Sequence, residues 1–475
     1  MYVAVLVLLP ILVAYSLSTP SSLFSDPDLW WHLANARQLI TTGHMIMVEP
    51  YAFTTAAKLW VNPEWLSELP YWAAYHWLHL RGLYIATWLL VSLNLAFLFY
   101  RSRKVSGNAS AAFWASVVGF MLMTLNAGPR TIVVAYLAFT AEMAILERLD
   151  RGRSRSVWLL PPLFAVWVNL HGSWLIGLAL LAVFTTSKAF GVHFRSIEQE
   201  AMPRREWRQL VISTLASAAA VFLNPYGWRL AWNPFDMMFY QKLNIKVVQE
   251  WQPLNLGWVA GKFALLAILL MIGASLLKSR KFALHQLIFV VFAWYAAFAH
   301  ARFTFLAAVV TTPFLATELA RAYLRPESKT TIPAMNALLV AGIAVMICLR
   351  IPSEAKLQSL TTGAYPETLI AEITPGERTL NSIALGGRMD YEGKPTFIDS
   401  RMDIFEHNGI FKDYLELTNG VSTLETLDRY HIDHVLIEEK SSTAYLLEHV
   451  KGWQVSGREK TSRGVYVLVK RASAH

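Results

Sequence analysis

The sequence predicts an α-helical polytopic membrane protein, with about 11 transmembrane helices and a carboxyl-terminal extracytoplasmic α/β domain. Three observations lead there. Of 475 residues, 55% are hydrophobic and only 16% charged, with a mean hydropathy of +0.37, too apolar for an ordinary soluble chain. Apolar runs of roughly 16 to 20 residues recur between short charged clusters. Beyond about residue 351 the pattern changes to short apolar runs alternating with helical spacing.

The apolar runs place spans at 2 to 18, 83 to 100, 111 to 127, 131 to 147, 157 to 170, 173 to 190, 209 to 224, 257 to 277, 283 to 300, 303 to 320 and 332 to 349. The first lacks a basic leading region and reads as a span, not a cleaved signal. The connecting loops then divide by charge. One set carries Arg101, Arg103 and Lys104; Arg148, Arg151, Arg153 and Arg155; Lys188, Arg195, Arg204, Arg205 and Arg208; Lys278, Arg280 and Lys281; and Arg321, Arg325 and Lys329. The alternating set, 19 to 82, 128 to 130, 171 to 172, 225 to 256 and 301 to 302, has few cations. The positive-inside rule makes the first set and the amino terminus cytoplasmic and the carboxyl-terminal tail periplasmic or extracellular.

The net charge of +9 falls in these interhelical clusters, a topology signal that gives no support to nucleic-acid binding. A single cysteine, Cys348, excludes an internal disulfide. In the tail, "KPTFID" (394 to 399), "HVLIEE" (434 to 439) and "GVYVLVKR" (464 to 471) read as buried strands. "VSTLETLDRY" and "STAYLLEHV" have helical spacing. The domains expected are 1 to 350, transmembrane with a long first outer loop (19 to 82), and 351 to 475.

On the outer face this topology collects Asp26, Asp28 and His32 in "DPDLWWHL"; Asn62, Glu64 and Glu68 in "WVNPEWLSE"; Arg130 in "AGPR"; and Asn169 and His171 in "NLHGSW". It adds Asn224, Tyr226 and Arg229 in "NPYGWR"; Glu250 in "QEWQP"; and His300 and Arg302 in "AHARF". An extracytoplasmic cavity at the membrane surface would use such variety. Each residue also has a plainer reading. Asp26 or Asp28 can cap the following helix, Trp30 and Trp31 can anchor at the interface, and Arg130 and Arg302 can reach lipid headgroups. The histidines lack metal-ligand spacing on one element. "FIDSRMDIF" alternates Asp399, Arg401 and Asp403, which on a strand would share a face as a second polar site or, the preferred reading, a structural ion-pair knot.

A carboxylate to take a proton from an acceptor hydroxyl and arginines to hold a departing phosphate suffice for glycosyl transfer from a lipid-linked phosphate sugar. Asp28 or Asp26 as base, with Arg130, Arg229 or Arg302 on the phosphate, supply that kit. The aspartates also allow a divalent metal ion, for which DPD alone is a weak signal.

The acidic first outer loop, the many spans and the soluble outer tail resemble the GT-C superfamily of integral-membrane glycosyltransferases. More narrowly, "DPDLWWHLANARQLITTGHMIMVEPYAFT", "WVNPEWLSE", "GPRTIVVAYLAF", "WVNLHGSWLIGLALL", "NPYGWRL", "EWQP" and "GKPTFIDSRMDIF" resemble a group of uncharacterised bacterial polytopic membrane proteins. The resemblance implies an acidic base or metal ligand in the first outer loop, here Asp28 or Asp26, and a polyprenyl-phosphate sugar as donor. It also implies residence in a bacterial inner membrane. Protein mannosyltransferases of the superfamily carry adjacent Asp-Glu where this chain separates two aspartates by a proline. The alternatives are a transporter or flippase of lipid-linked sugars and a non-catalytic glycan-assembly protein. The in-span acids Glu142, Glu147 and Glu318 lie toward predicted cytoplasmic ends, which disfavours transport through the midplane.

Overall fold

The computed structural model describes residue 24, residues 26 to 126, 128 to 277 and 281 to 323, scattered positions between 334 and 345, and residues 349 to 472. The expected span 2 to 18, and most of 332 to 349, lie outside them. The other nine expected spans fall on helices among the described residues: Trp65–Ser106, Ala109–Met123, Thr131–Asp150, Leu160–Leu170, Trp174–Ser187, Arg204–Ala220, Val259–Leu277, Leu284–Ala299 and Thr304–Tyr323. Two stretches among the described residues are both long and apolar enough to cross a membrane, Trp65–Ser106 and Ala301–Ala322.

The chain forms two compact units. Among the described residues, one comprises those within 85 to 234 and 247 to 351, and the other those within 24 to 84, 235 to 246 and 352 to 472. The first outer loop, expected with the transmembrane domain, groups instead with the carboxyl-terminal segment.

In the first unit, Ala109–Met123 packs on Thr304–Tyr323 and Leu160–Leu170 on Arg204–Ala220. Gly119 lets the first pair approach, since a Cβ there would collide with the Thr312 hydroxyl. An aromatic cluster fills the core: Tyr136 stacks on Phe305 at 4.4 Å between centroids, and Phe139 meets Trp167 edge-on at 4.6 Å. Polar side chains in these helices bond to backbone carbonyls, as Asn94 does to Val133 at 2.9 Å. A short antiparallel hairpin, β1 (Val192–Phe194) and β2 (Ile197–Gln199), projects from one loop.

In the second unit a four-stranded sheet has the order β3 (Thr379–Asn381), β4 (His434–Glu438), β6 (Gly464–Arg471), β5 (Trp453–Thr461). β3 runs parallel to β4, and the other pairings are antiparallel. β4 and β6 answer to two of the predicted strands; the third, "KPTFID", is corrected. Its ladder bonds are taken elsewhere: Asn381 Oδ1 accepts from Phe397 N at 2.8 Å, and Asn381 Nδ2 donates to Ile398 O at 2.7 Å. Thr396 makes a single parallel bridge to Ala52. β5 escapes sequence reading because it is a half-exposed edge strand with a bulge between Val455 and Gly457. The expected helices appear as Thr423–Arg429 and Ser442–His449.

Candidate functional site

Pro27 opens the helix Pro27–Thr42, where a missing backbone N–H costs nothing. Asp26 is its N-cap, its Oδ1 accepting from Asp28 N at 3.0 Å. Asp28 lies in the first turn, half-exposed. The two carboxylates thus differ in setting: Asp26 caps, and Asp28 faces side chains.

The indole Nε1 of Trp31 lies 3.4 Å from Asp28 Oδ1 and donates to Ser400 Oγ at 3.0 Å. The ring of His32 is 3.7 Å from that of Trp31. His32 Nδ1 is 2.8 Å from Glu68 Oε1, and its Nε2 is 3.5 Å from Glu64 Oε2. Glu68 Oε1 also accepts from Asn35 at 3.2 Å and Asn62 at 2.9 Å. Burial would lower the His32 pKa, but the Glu68 hydrogen bond and the charges of Glu68, Glu64 and Asp28 raise it above the ordinary histidine value. A buried histidine facing the carboxylates of Glu68 and Glu64 is the resulting arrangement.

Behind this cluster lies a buried knot. The Arg401 guanidinium grips Asp399 through Nε at 3.0 Å and Nη2 at 2.5 Å, and pairs with Glu49 through Nη1 at 2.8 Å. It also lies 4.9 Å from the centre of the Tyr51 ring and 4.7 Å from that of Trp60. Glu49 Oε1 accepts from the backbone N–H groups of Tyr51 and Ala52 at 2.7 and 2.8 Å. Asp390, bonded by Thr396 at 2.8 Å, is pushed well above the usual carboxylate range by burial and by the charge of Asp399. The structural reading of Asp399 and Arg401 is therefore the one the geometry supports. The shared strand face is corrected, because Asp403 lies in the helix Met402–His407, where burial pushes its carboxyl up to about 7.

The knot fixes the loop 399 to 401, and through Ser400 it orients Trp31 beside Asp28. Sequence reasoning missed Glu49, Asn35 and Ser400. Glu49 alone carried a signal, as an acid inside the apolar run "HMIMVEPYAF".

The remaining predicted residues belong to the other unit. Arg130, the N-cap of Thr131–Asp150, forms an ion pair with Glu250. The Arg302 guanidinium lies 4.2 Å from the centre of the neighbouring Trp251 ring. His300 Nδ1 donates to Trp251 O at 2.5 Å, and Ala301 N to Gln252 O at 2.9 Å. Three loops that are distant in sequence thus bring Arg130, Glu250 and Arg302 to one place. His171 Nδ1 accepts from Ser173 N at 2.9 Å, a turn-forming role. Tyr226 is buried in the turn closed by Asn224, whose Oδ1 accepts from Tyr226 N at 2.8 Å. Arg229 is exposed on the helix Trp228–Tyr240.

Among the described residues no group of three or more His, Cys, Asp or Glu side chains is placed to hold a metal ion. Around Asp28 the nitrogens of His32 face Glu64 and Glu68.

No protein-family model and no curated protein matches the chain. Among solved structures, the Archaeoglobus fulgidus oligosaccharyltransferase, tethered through a disulfide to an acceptor peptide containing the NVT sequon, is similar with a TM-score of 0.52 and 12% identity. The match covers 90% of this chain and 68% of that one. ArnT from Cupriavidus metallidurans, bound to undecaprenyl phosphate, is similar with a TM-score of 0.52 and 12% identity, over 98% of both chains. At that identity the likeness is one of fold: this chain has a helical fold like those of the two structures, with a small carboxyl-terminal sheet domain.

Proposed function

We propose that the protein is a membrane glycosyltransferase that moves a sugar from a polyprenyl-phosphate donor to an acceptor at the outer face of a bacterial inner membrane. The observation that carries the reading is the likeness of fold along nearly the whole chain to an enzyme solved with a polyprenyl phosphate bound. The setting of Asp28 supports it: a half-exposed carboxylate held beside Trp31 in the first turn of the first outer helix.

In this mechanism Asp28 accepts the proton of an acceptor hydroxyl as the hydroxyl oxygen attacks the anomeric carbon. The bond from that carbon to the phosphate oxygen breaks, and the electron pair leaves on the lipid phosphate. A phosphate needs no general acid to depart, so cations that hold its growing charge suffice. The cations proposed for that role are Arg130, which is paired with Glu250, together with Arg229 and Arg302. His32, Glu64, His171 and Tyr226 are assigned to shaping the acceptor and sugar sites.

Membranes carrying the wild-type protein, given a panel of radiolabelled polyprenyl-phosphate sugars, are expected to transfer label to an acceptor fraction. Transfer from no donor in the panel, combined with passage of lipid-linked sugar across reconstituted vesicles, would replace this reading with that of a flippase.

A further inference from the structure

The helix Thr131–Asp150 starts at Arg130 and runs 20 residues, about 30 Å at the helical rise of ~1.5 Å per residue. At its far end lies a cavity of about 280 Å³ lined by Glu147, Asp150 and Arg151 from this helix, together with Arg101 and His285. A single water needs only roughly 10 to 15 Å³ by this measure. Apart from Gln286 the rest of the lining is apolar and includes Phe289, Val310 and Phe314. The cavity is therefore charged on one side and oily on the other.

The charges on its polar side are unequally committed. Glu147 accepts from Arg101 Nη2 at 2.7 Å. Asp150 faces Lys188 Nζ at 2.5 Å and His285 Nε2 at 3.0 Å. Both carboxylates thus have cationic or hydrogen-bonding partners. Arg101 is 3% exposed and donates from Nη1 to Val309 O at 3.0 Å, yet its buried Nε has no protein hydrogen-bond partner among the described residues. Arg151 is exposed at the helix end. Counting Lys188, three permanent cations stand against two carboxylates.

We propose that this cavity binds the phosphate of an anionic membrane lipid, with Arg151 as donor, the charge of Arg101 beside it and the acyl chain along Phe289, Val310 and Phe314. The apolar wall is the reason to assign a lipid, since a free phosphate gains nothing from it. Basic pockets between membrane helices recognise anionic headgroups by this combination. The site lies at the end of the helix remote from Arg130, within the charge cluster that the loop distribution marks as cytoplasmic. It therefore serves a resident lipid and not the transferred sugar, and it does not depend on the proposed reaction.

The test is native mass spectrometry of the full-length protein in detergent, titrated with phosphatidylglycerol and, in a separate arm, inorganic phosphate. The wild type is expected to retain one phosphatidylglycerol preferentially. Arg151→Gln, an exposed change that leaves the core intact, weakens it roughly tenfold. Val310→Phe, which fills the apolar wall, abolishes it, and Arg153→Gln, an exposed loop cation that does not line the cavity, leaves it unchanged. Equal retention in the wild type, Arg151→Gln and Val310→Phe would overturn the site, as would an equal loss in Arg153→Gln. Inorganic phosphate binding as tightly as the lipid, with the same dependence on Arg151, would overturn the lipid assignment.

Discussion

Two residues of the first outer loop, Arg401's partner Glu49 and the histidine His32, illustrate how buried charge organises the second unit. Replacing Arg401 by Met leaves Asp399 and Glu49 buried without their cation, which costs about 3 to 5 kcal/mol. Glu49→Gln keeps an oxygen for the N–H groups of Tyr51 and Ala52 and costs less. Thermal unfolding should place Arg401→Met well below Glu49→Gln, and the reverse order would show that the pair is not the source of stability. The His32 pKa is raised in the folded state, so its contribution is fully present below the unfolded value near 6.5 and is lost as pH rises through the folded value. His32→Gln should therefore destabilise the protein more at pH 6 than at pH 9, read as the difference in unfolding midpoint from wild type. At this scale the sequence showed which polar residues were unusual but not their partners. Asp28, His32 and Glu64 could be selected by residue type and loop position, whereas the contacts of Ser400 with Trp31 and of Arg401 with Glu49 span more than 300 residues.

Helices were more legible than strands because a run of apolar residues between basic clusters states both type and length. The strand "KPTFID" misled because a buried apolar segment can have its backbone satisfied by a side chain, here Asn381, as well as by a ladder. The packing of Ile383–Tyr391 on Pro27–Thr42 was invisible in the sequence, and it depends on Gly387, where a Cβ would collide with the Pro27 carbonyl. Gly387→Val is expected to lower the unfolding midpoint sharply, while Gly393→Val, where a Cβ meets nothing, carries only the strain of its positive φ. Comparable midpoints for the two would argue against close packing at Gly387. Asp26→Ala removes a helix cap and should cost about 1 kcal/mol.

For the whole molecule, the change of composition near residue 351 says nothing of which segments share a core with the carboxyl-terminal one. The carboxyl-terminal segment shares its core with the first loop: Tyr365 OH donates to Phe24 O at 3.2 Å, Arg388 lies 4.4 Å from the centre of the Trp30 ring, and Arg401 pairs with Glu49. A segment spanning 352 to 475 expressed alone should therefore lack cooperative unfolding, since its buried cation and aromatic surfaces lose their partners. A sharp, wild-type-like transition for that segment would show an autonomous domain. The same shared core gives the outer segment a role in the proposed chemistry, because Ser400 positions Trp31 and Trp31 faces Asp28. The central claim is that Asp28 is the base and Asp26 a cap. The direct measurement is transfer of radiolabelled sugar from a polyprenyl-phosphate donor in membranes carrying wild type, Asp28→Asn or Asp26→Asn at matched protein levels. Asp28→Asn is expected to lose roughly 100-fold or more while Asp26→Asn, which keeps a capping oxygen, retains most activity; full activity in Asp28→Asn would show that Asp28 is not the base.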